Sequence, residues 1–119
     1  MSSIMIHNTH GNEDVERASL AFVLGNTSLS SGQETSLLMT IDGVFVATTG
    51  YTDGLQAEGF PPLAELVNNF VSNGGKVLVC GACAKPRHII AEDLIDGAEL
   101  VGAATAIANM VNGAQVISF

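Results

Sequence analysis

The sequence predicts an α/β fold built on a mostly parallel sheet, and three observations predict it. Apolar, β-branched runs alternate with stretches of helical periodicity from one end of the chain to the other. Leu63, Leu66, Val67, Phe70 and Val71 recur at i, i+3, i+4, i+7 and i+8, the spacing of an amphipathic helix. Val77 to Cys80 is a short, continuous apolar run, as a central parallel strand covered on both faces requires.

The elements follow in order. Ile4 to His7 is the first strand. Asn8 to Asp14 is a polar loop in which Asn12 or Asp14 caps the next helix. Val15, Ala18 and Phe22 then repeat at helical spacing, so a helix runs from about Asp14 to about Leu29, and Ser30-Ser31-Gly32 ends it. Thr35 to Ile41, β-branched and apolar, is the second strand. Gly43 to Ala47 fits either a short helix or a strand, and its place after a strand and before turn signals favours the helix. Gly50 to Phe60 is the longest irregular segment. Pro61 and Pro62 suit the first turn of the amphipathic helix, and Asn73-Gly74-Gly75 stops it. After the Val77–Cys80 strand come a short helical turn around His88 to Leu94 and a candidate strand at Glu99–Val101. Ala104, Ile107, Ala108 and Val111 then mark a last helix, and Gln115 to Phe119 is the final strand. No repeat, linker or low-complexity tract interrupts this order, so residues 1–119 read as one domain.

Composition narrows the function. The net charge is -8, with 47% apolar and only 13% charged residues. So little charge points to apolar surface buried between subunits of a homo-oligomer. The acidic balance excludes nucleic-acid binding, which needs a basic track along phosphates. No run approaches the ~20 apolar residues of a membrane span. No basic region with a cleavage site follows Met1, and two cysteines make no disulfide framework, so a cytoplasmic protein with working thiols is expected.

The chemistry concentrates in Lys76 to His88. This stretch holds both cysteines, Cys80 and Cys83, and three of the four cations, Lys76, Lys85 and Arg87. In open parallel sheets functional groups gather beyond the carboxyl ends of the strands. Cys80 ends a strand, and Cys83 is expected in the loop after it. Pro86 fits the first turn of a following helix, whose N–H groups would face that loop. Together with Lys85 and Arg87 these effects would lower the Cys83 thiol below its reference of about 8.5 and make it the nucleophile. His88 is a candidate to orient or protonate a group at Cys83. Cys80 reads as a buried strand end that doubles as a candidate resolving thiol.

Other patterns compete. Cys80-Gly81-Ala82-Cys83 has the C-x-x-C form of dithiol oxidoreductases. Thioredoxin-like proteins, however, present a later cis-proline beside the motif, and no proline follows Pro86 here. His7 and His10 end the first strand at the edge expected to carry the cysteines, so they are candidate pocket residues. Two Cys and two His are a zinc set on paper, but His7-x-x-His10 crosses a strand end, and no metal is assigned. The acidic residues of both clusters read as a helix start and a solvated face, and no glycine-rich phosphate cradle is present.

Several pieces in this order resemble the DsrE/DsrF-like family of small sulfur-relay proteins. They are the Met-Ile-His first strand, Gly43-Val44 followed by Gly50, and the helix start Gly59-Phe60-Pro61-Pro62-Leu63-Ala64-Glu65-Leu66. The Gly75-Lys76-Val77 approach to a cysteine-ended strand and the Cys80-x-x-Cys83-x-x-x-Arg87 pattern complete the set. The resemblance implies a three-layer α/β/α sandwich with a five-stranded sheet, assembled as a homotrimer or homohexamer. It implies a loop cysteine, matching Cys83, that takes a persulfide sulfur from a donor protein and passes it to an acceptor, without a cofactor. His88 stands where the family often has glycine, Pro86 is unusual there, and Cys80 is an addition to the relay pattern. Three readings therefore stand: a persulfide carrier using Cys83, a thiol redox protein cycling Cys80 and Cys83, and an oligomeric binding or regulatory protein.

Overall fold

The computed structural model describes residues 3–119. Five strands form one parallel sheet: β1 (Ser3–Asn8), β2 (Glu34–Met39), β3 (Lys76–Cys80), β4 (Ala98–Val101) and β5 (Gln115–Ser118), in the spatial order β4-β3-β2-β1-β5. The helices are α1 (Val15–Ser30), α2 (Leu63–Ser72), α3 (Gly81–Ala84) and α4 (Ala103–Val111). A 3-10 segment, Ile41–Ala47, resolves the ambiguity at Gly43–Ala47 in favour of helix.

The layers follow from the handedness of parallel crossovers. The steps β1 to β2, β2 to β3 and β3 to β4 all move the same way across the sheet, so their connections share one face. The return from β4 to β5 at the opposite edge runs the other way and places α4 on the second face. On the first face Ile6, Leu37, Met39, Val77 and Val79 meet Ala18 and Phe22 of α1 and Leu63, Val67 and Phe70 of α2. Phe22 and Phe70 meet edge to face, 5.7 Å apart at 86°. On the second face Met5, Leu38 and Leu78 alone are buried among the described residues, with Val101, Ala106 and Ala114 packed against them and partly buried.

That second face is thinly covered. A nine-residue α4 is about 14 Å long, whereas five strands span about 19 Å. None of the α4 residues is buried. Ile107 and Val111 on the helix are 57% and 79% exposed, and Val116 and Ile117 on edge strand β5 are 41% and 47% exposed. No Asp, Glu, Lys, Arg or His occurs from Leu100 to Phe119, so this surface is uncharged as well as apolar. Among the described residues no helix is long and apolar enough to cross a membrane.

Two expectations for the cysteine segment are corrected. Helix α3 begins at Gly81, directly after Cys80, so Cys83 lies within a helical turn and not in a loop. Pro86 falls in the 3-10 turn Lys85–Arg87 that continues α3, so it opens no separate helix facing Cys83. The physical reason is local: Ala82 and Ala84 favour helix, and Pro86 is tolerated in the first turn of the 3-10 segment, where its missing N–H costs no bond. His88, at φ 61, ends that turn in the left-handed region, and the helical turn expected around His88 to Leu94 shrinks to Ala91–Asp93.

Candidate functional site at the strand ends

The carboxyl ends of β1, β2, β3 and β5 carry the site. Strand periodicity sorts their side chains. On β3, Val77 and Val79 point into the main core, while Leu78 joins the α4 face and Cys80 lines a cavity on that face. On β1, Ile6 faces the core while Met5 and His7 face α4.

Cys83 belongs to the other side. It packs partly buried against the main core, next to Ala84 and below the Ile41–Ala47 segment. That segment approaches β1 so closely that a Cβ on Gly43 would lie 2.3 Å from the Asn8 carbonyl oxygen, so glycine is required. Asn8 is fully buried, and its carbonyl accepts from Thr40 N–H at 3.1 Å. The turn out of β2 puts Ile41 at φ 54, an unfavourable conformation for a β-branched residue. This turn brings the Ile41 backbone N–H to the Cys83 sulfur.

The electrostatics at Cys83 overturn the expectation of a lowered pKa. Burial pushes the thiol up first and foremost, and the neighbouring Cys80 pushes the same way, both as a hydrogen-bond partner and as a second titrating thiol. The Ile41 N–H and, more weakly, Arg87 pull it down, and the net direction is upward. Arg87 is occupied elsewhere. Its Nε donates to Asp42 Oδ1 at 3.1 Å, a second nitrogen lies 3.1 Å from the same oxygen, and Nη1 donates to the Cys83 carbonyl at 3.1 Å. Arg87 therefore clamps the cysteine turn to the Ile41–Ala47 segment. Lys85 and His88 are exposed, and among the described residues neither side chain is hydrogen-bonded to a thiol.

On the α4 face a cavity of about 280 Å³ runs beneath the helix. Leu38, Ala106, Ile107, Met110 and Val116 make it apolar, and His7, Thr40, Cys80 and Ser118 form its polar end. His7 Nε2 and Thr40 Oγ1 share a 2.6 Å hydrogen bond, and His7 Nδ1 and Ser118 Oγ share one of 3.1 Å. Burial lowers the His7 pKa, which keeps the ring neutral at pH 7.

The structure thus brings Cys80, Cys83 and His7 to one end of the sheet. His10 goes elsewhere: its Nδ1 lies 2.8 Å from Glu13 Oε2, and it is not part of the cavity wall. Among the described residues no three His, Cys, Asp or Glu side chains cluster as a metal centre needs. Thr40, Ile41, Asp42 and Ser118 escaped the sequence reading. The first and last carried a usable signal, because strand alternation puts them on the same face as His7 and Cys80.

A model of the DsrE/DsrF-like family matches residues 2–119. The chain belongs to the DsrE/DsrF-like family. This DsrE/DsrF-like chain is 34% identical over 104 residues to uncharacterized protein MJ0989 of Methanocaldococcus jannaschii, covering 87% of this chain and 88% of that protein. It is 34% identical over 85 residues to uncharacterized protein MK0008 of Methanopyrus kandleri, covering 71% and 67%. It is 30% identical over 105 residues to uncharacterized protein MJ0760 of M. jannaschii, covering 88% of this chain but only 38% of that longer protein. The DsrE/DsrF-like fold is shared over the full length of both chains with the ychN protein from E. coli, at TM-score 0.75 and 18% identity. It is shared likewise with MTH1491 from Methanobacterium thermoautotrophicum, a protein of unknown function, at TM-score 0.72 and 14% identity.

Proposed function

We propose that this DsrE/DsrF-like protein is a persulfide carrier of the sulfur-relay type, with Cys83 as the sulfur acceptor. The observation that carries the reading is the pair of free thiols at the end of β3 and the first turn of α3, close enough to affect each other's ionisation, with the Ile41 N–H favouring the Cys83 thiolate. In the reaction the Cys83 thiolate attacks the outer sulfur of a donor persulfide. The donor's S–S bond breaks, a new S–S bond forms on Cys83, and the donor leaves as a thiolate. No net oxidation occurs and no cofactor is needed. The Ile41 N–H and the Arg87 charge favour the anionic form in the attack. Burial disfavours it at rest, which protects the idle thiol from oxidation.

Exposed Lys85, two residues after Cys83 and next to the Asp42-paired Arg87, gives a cationic rim beside that thiol on an otherwise acidic chain, suited to docking an acidic donor or acceptor protein. The uncharged α4–β5 face supports assembly into a homotrimer or homohexamer. Two free thiols suit a reducing, cytoplasmic setting.

The test is intact-protein mass spectrometry after incubation with a low-molecular-weight persulfide. A gain of one sulfur, mapped to Cys83 and absent in Cys83→Ala, is the expected result. Loss of two hydrogens without sulfur gain would instead establish a Cys80–Cys83 redox couple, and an inert protein would leave a binding role.

A further inference from the structure

The polar end of the α4-side cavity is a row, one residue from each of four adjacent strand ends. Ser118 at the end of β5, His7 on β1 and Thr40 just beyond β2 are joined by the two hydrogen bonds of 3.1 and 2.6 Å. The next place in the row belongs to Cys80. Strands β2 and β3 stay in parallel register through Met39 and Val79, and Thr40 and Cys80 are both extended, so the following pair sets Thr40 beside Cys80, about 4.8 Å away along the sheet. Both line the same cavity.

We propose that His7 is the proton acceptor for Cys80, acting through the Thr40 hydroxyl, and that Cys80 is thereby a second nucleophilic thiol facing the apolar cavity. The Cys80 thiol proton passes to Thr40 Oγ1, the Thr40 proton passes to His7 Nε2, and the Nδ1–H of the resulting imidazolium donates to Ser118 Oγ. Burial keeps the His7 ring neutral beforehand and so free to accept. No charged side chain competes for that proton from the packed elements. The cavity wall from α4 is Ala103, Ala106, Ile107 and Met110, with Gly102 just before it, β5 adds Val116 and Ser118, and Leu38 of β2 and Thr40 just beyond it complete that side. Among the described residues, the one further titrating group at Cys80 is Cys83, on α3.

This assignment rests on the persulfide reading for its use. There the Cys80 thiolate attacks the outer sulfur of the Cys83 persulfide. The Cys83 S–S bond breaks, an S–S bond forms on Cys80, and Cys83 leaves as a thiolate that takes back the proton held by His7. Sulfur would enter at Cys83, on the positive rim, and leave from Cys80, in the cavity.

The test needs no persulfide, so it can fail while Cys83 persulfidation stands, and the reverse. In Cys83→Ser, where Cys80 is the sole thiol, the rate of methylthiolation by methyl methanethiosulfonate is followed from pH 5.5 to 10 by intact mass. The same profile is taken with peptide mapping in the unsubstituted chain. His7→Gln and Thr40→Val should each slow Cys80 about tenfold at pH 7 and move the profile up by about one pH unit, while Thr40→Ser retains the parent profile. Profiles for Thr40→Val and His7→Gln that overlay the parent would overturn the relay. So would an equal loss in Thr40→Ser, which would make Thr40 a packing residue only.

Discussion

Gly43→Ala tests how the Cys83 environment is built. The added Cβ would lie 2.3 Å from the Asn8 carbonyl oxygen and 3.1 Å from the Asn8 carbonyl carbon. A carbon and an oxygen pack no closer than about 3.2 Å, so the Ile41–Ala47 segment must retreat by roughly 1 Å or Asn8 must move. Asn8 cannot move cheaply. It is fully buried, its carbonyl accepts from Thr40, and its side chain both donates to the His10 carbonyl at 2.9 Å and accepts from the His10 N–H at 3.1 Å. Overpacking of this kind costs about 1–3 kcal/mol. For a chain of this size about 4 °C accompanies each kcal/mol, so the melting temperature should fall by roughly 4–12 °C. A retreat also withdraws the Ile41 N–H from the Cys83 sulfur, which pushes that thiol further up. The assay is a thermal melt followed by circular dichroism, together with the pH profile of Cys83 alkylation. Gly102→Ala is the control: it has open space around its Cβ position and a φ of -92, and it should shift stability by less than about 1 kcal/mol. An unchanged melting temperature in Gly43→Ala, or a Cys83 profile that does not move alkaline, would refute the close-approach argument.

Other perturbations probe the same architecture. Phe70→Ala removes the ring that packs edge to face on Phe22 in the main core and should cost about 3–5 kcal/mol by chemical denaturation. His7 has a folded pKa below its unfolded one, so the unfolded chain binds the proton more readily. Stability is therefore full above about pH 6.5 and falls as the pH drops through that value, and His7→Gln should flatten this acid limb in urea titrations taken from pH 8 to 5. Cys83 has the opposite sign: an acid whose folded pKa is raised loses stability as the pH climbs past about 9, so Cys83→Ser should be less sensitive to alkali than the parent. The Cys80 cavity is apolar and the chain is acidic, so a neutral methanethiosulfonate should outpace its anionic sulfonate analogue at Cys80, and 1 M salt should narrow the gap only in part.

The fold was legible because its signals are local. The Leu63–Val71 stripe buries Leu63, Leu66, Val67 and Phe70 where the spacing says it should, and Val77 to Val79 is an interior strand buried on both faces, as its unbroken apolar run implies. The site was legible only in part, because thiol chemistry depends on burial, which no residue spacing states. Lys85 and Arg87, two and four places after Cys83, read as its company. In space Arg87 is paired with Asp42, a residue 45 positions away, whose own sequence context is a featureless turn. The start of α3 at Gly81 was missed for a related reason. Pro86 is a strong helix-start signal in isolation, and only the sheet edge shows that the chain must turn at once after Cys80. His7 was singled out, but its partners Thr40 and Ser118 look like ordinary strand-end hydroxyls until the strand order sets them side by side.

The spacing of the two thiols takes its meaning from where the strand ends. Within β3, alternation would put residues 80 and 83 on opposite faces, because their separation is odd. The chain leaves the sheet at Cys80 and turns helical, and the outcome is the same by another route: Cys80 keeps the α4 face, while the first turn of α3 carries Cys83 over the sheet edge toward the main core. The pair therefore straddles the edge with its sulfurs close enough to influence each other's protonation, yet each meets a different environment. On one side are a backbone N–H, a clamped arginine and a positive rim open to solvent. On the other are an apolar cavity and a neutral histidine. A C-x-x-C placed in a loop would give both sulfurs the same surroundings. Placed across a strand end, it makes two distinct stations one bond exchange apart, the geometry the proposed persulfide carrier would use to take sulfur at one thiol and release it from the other.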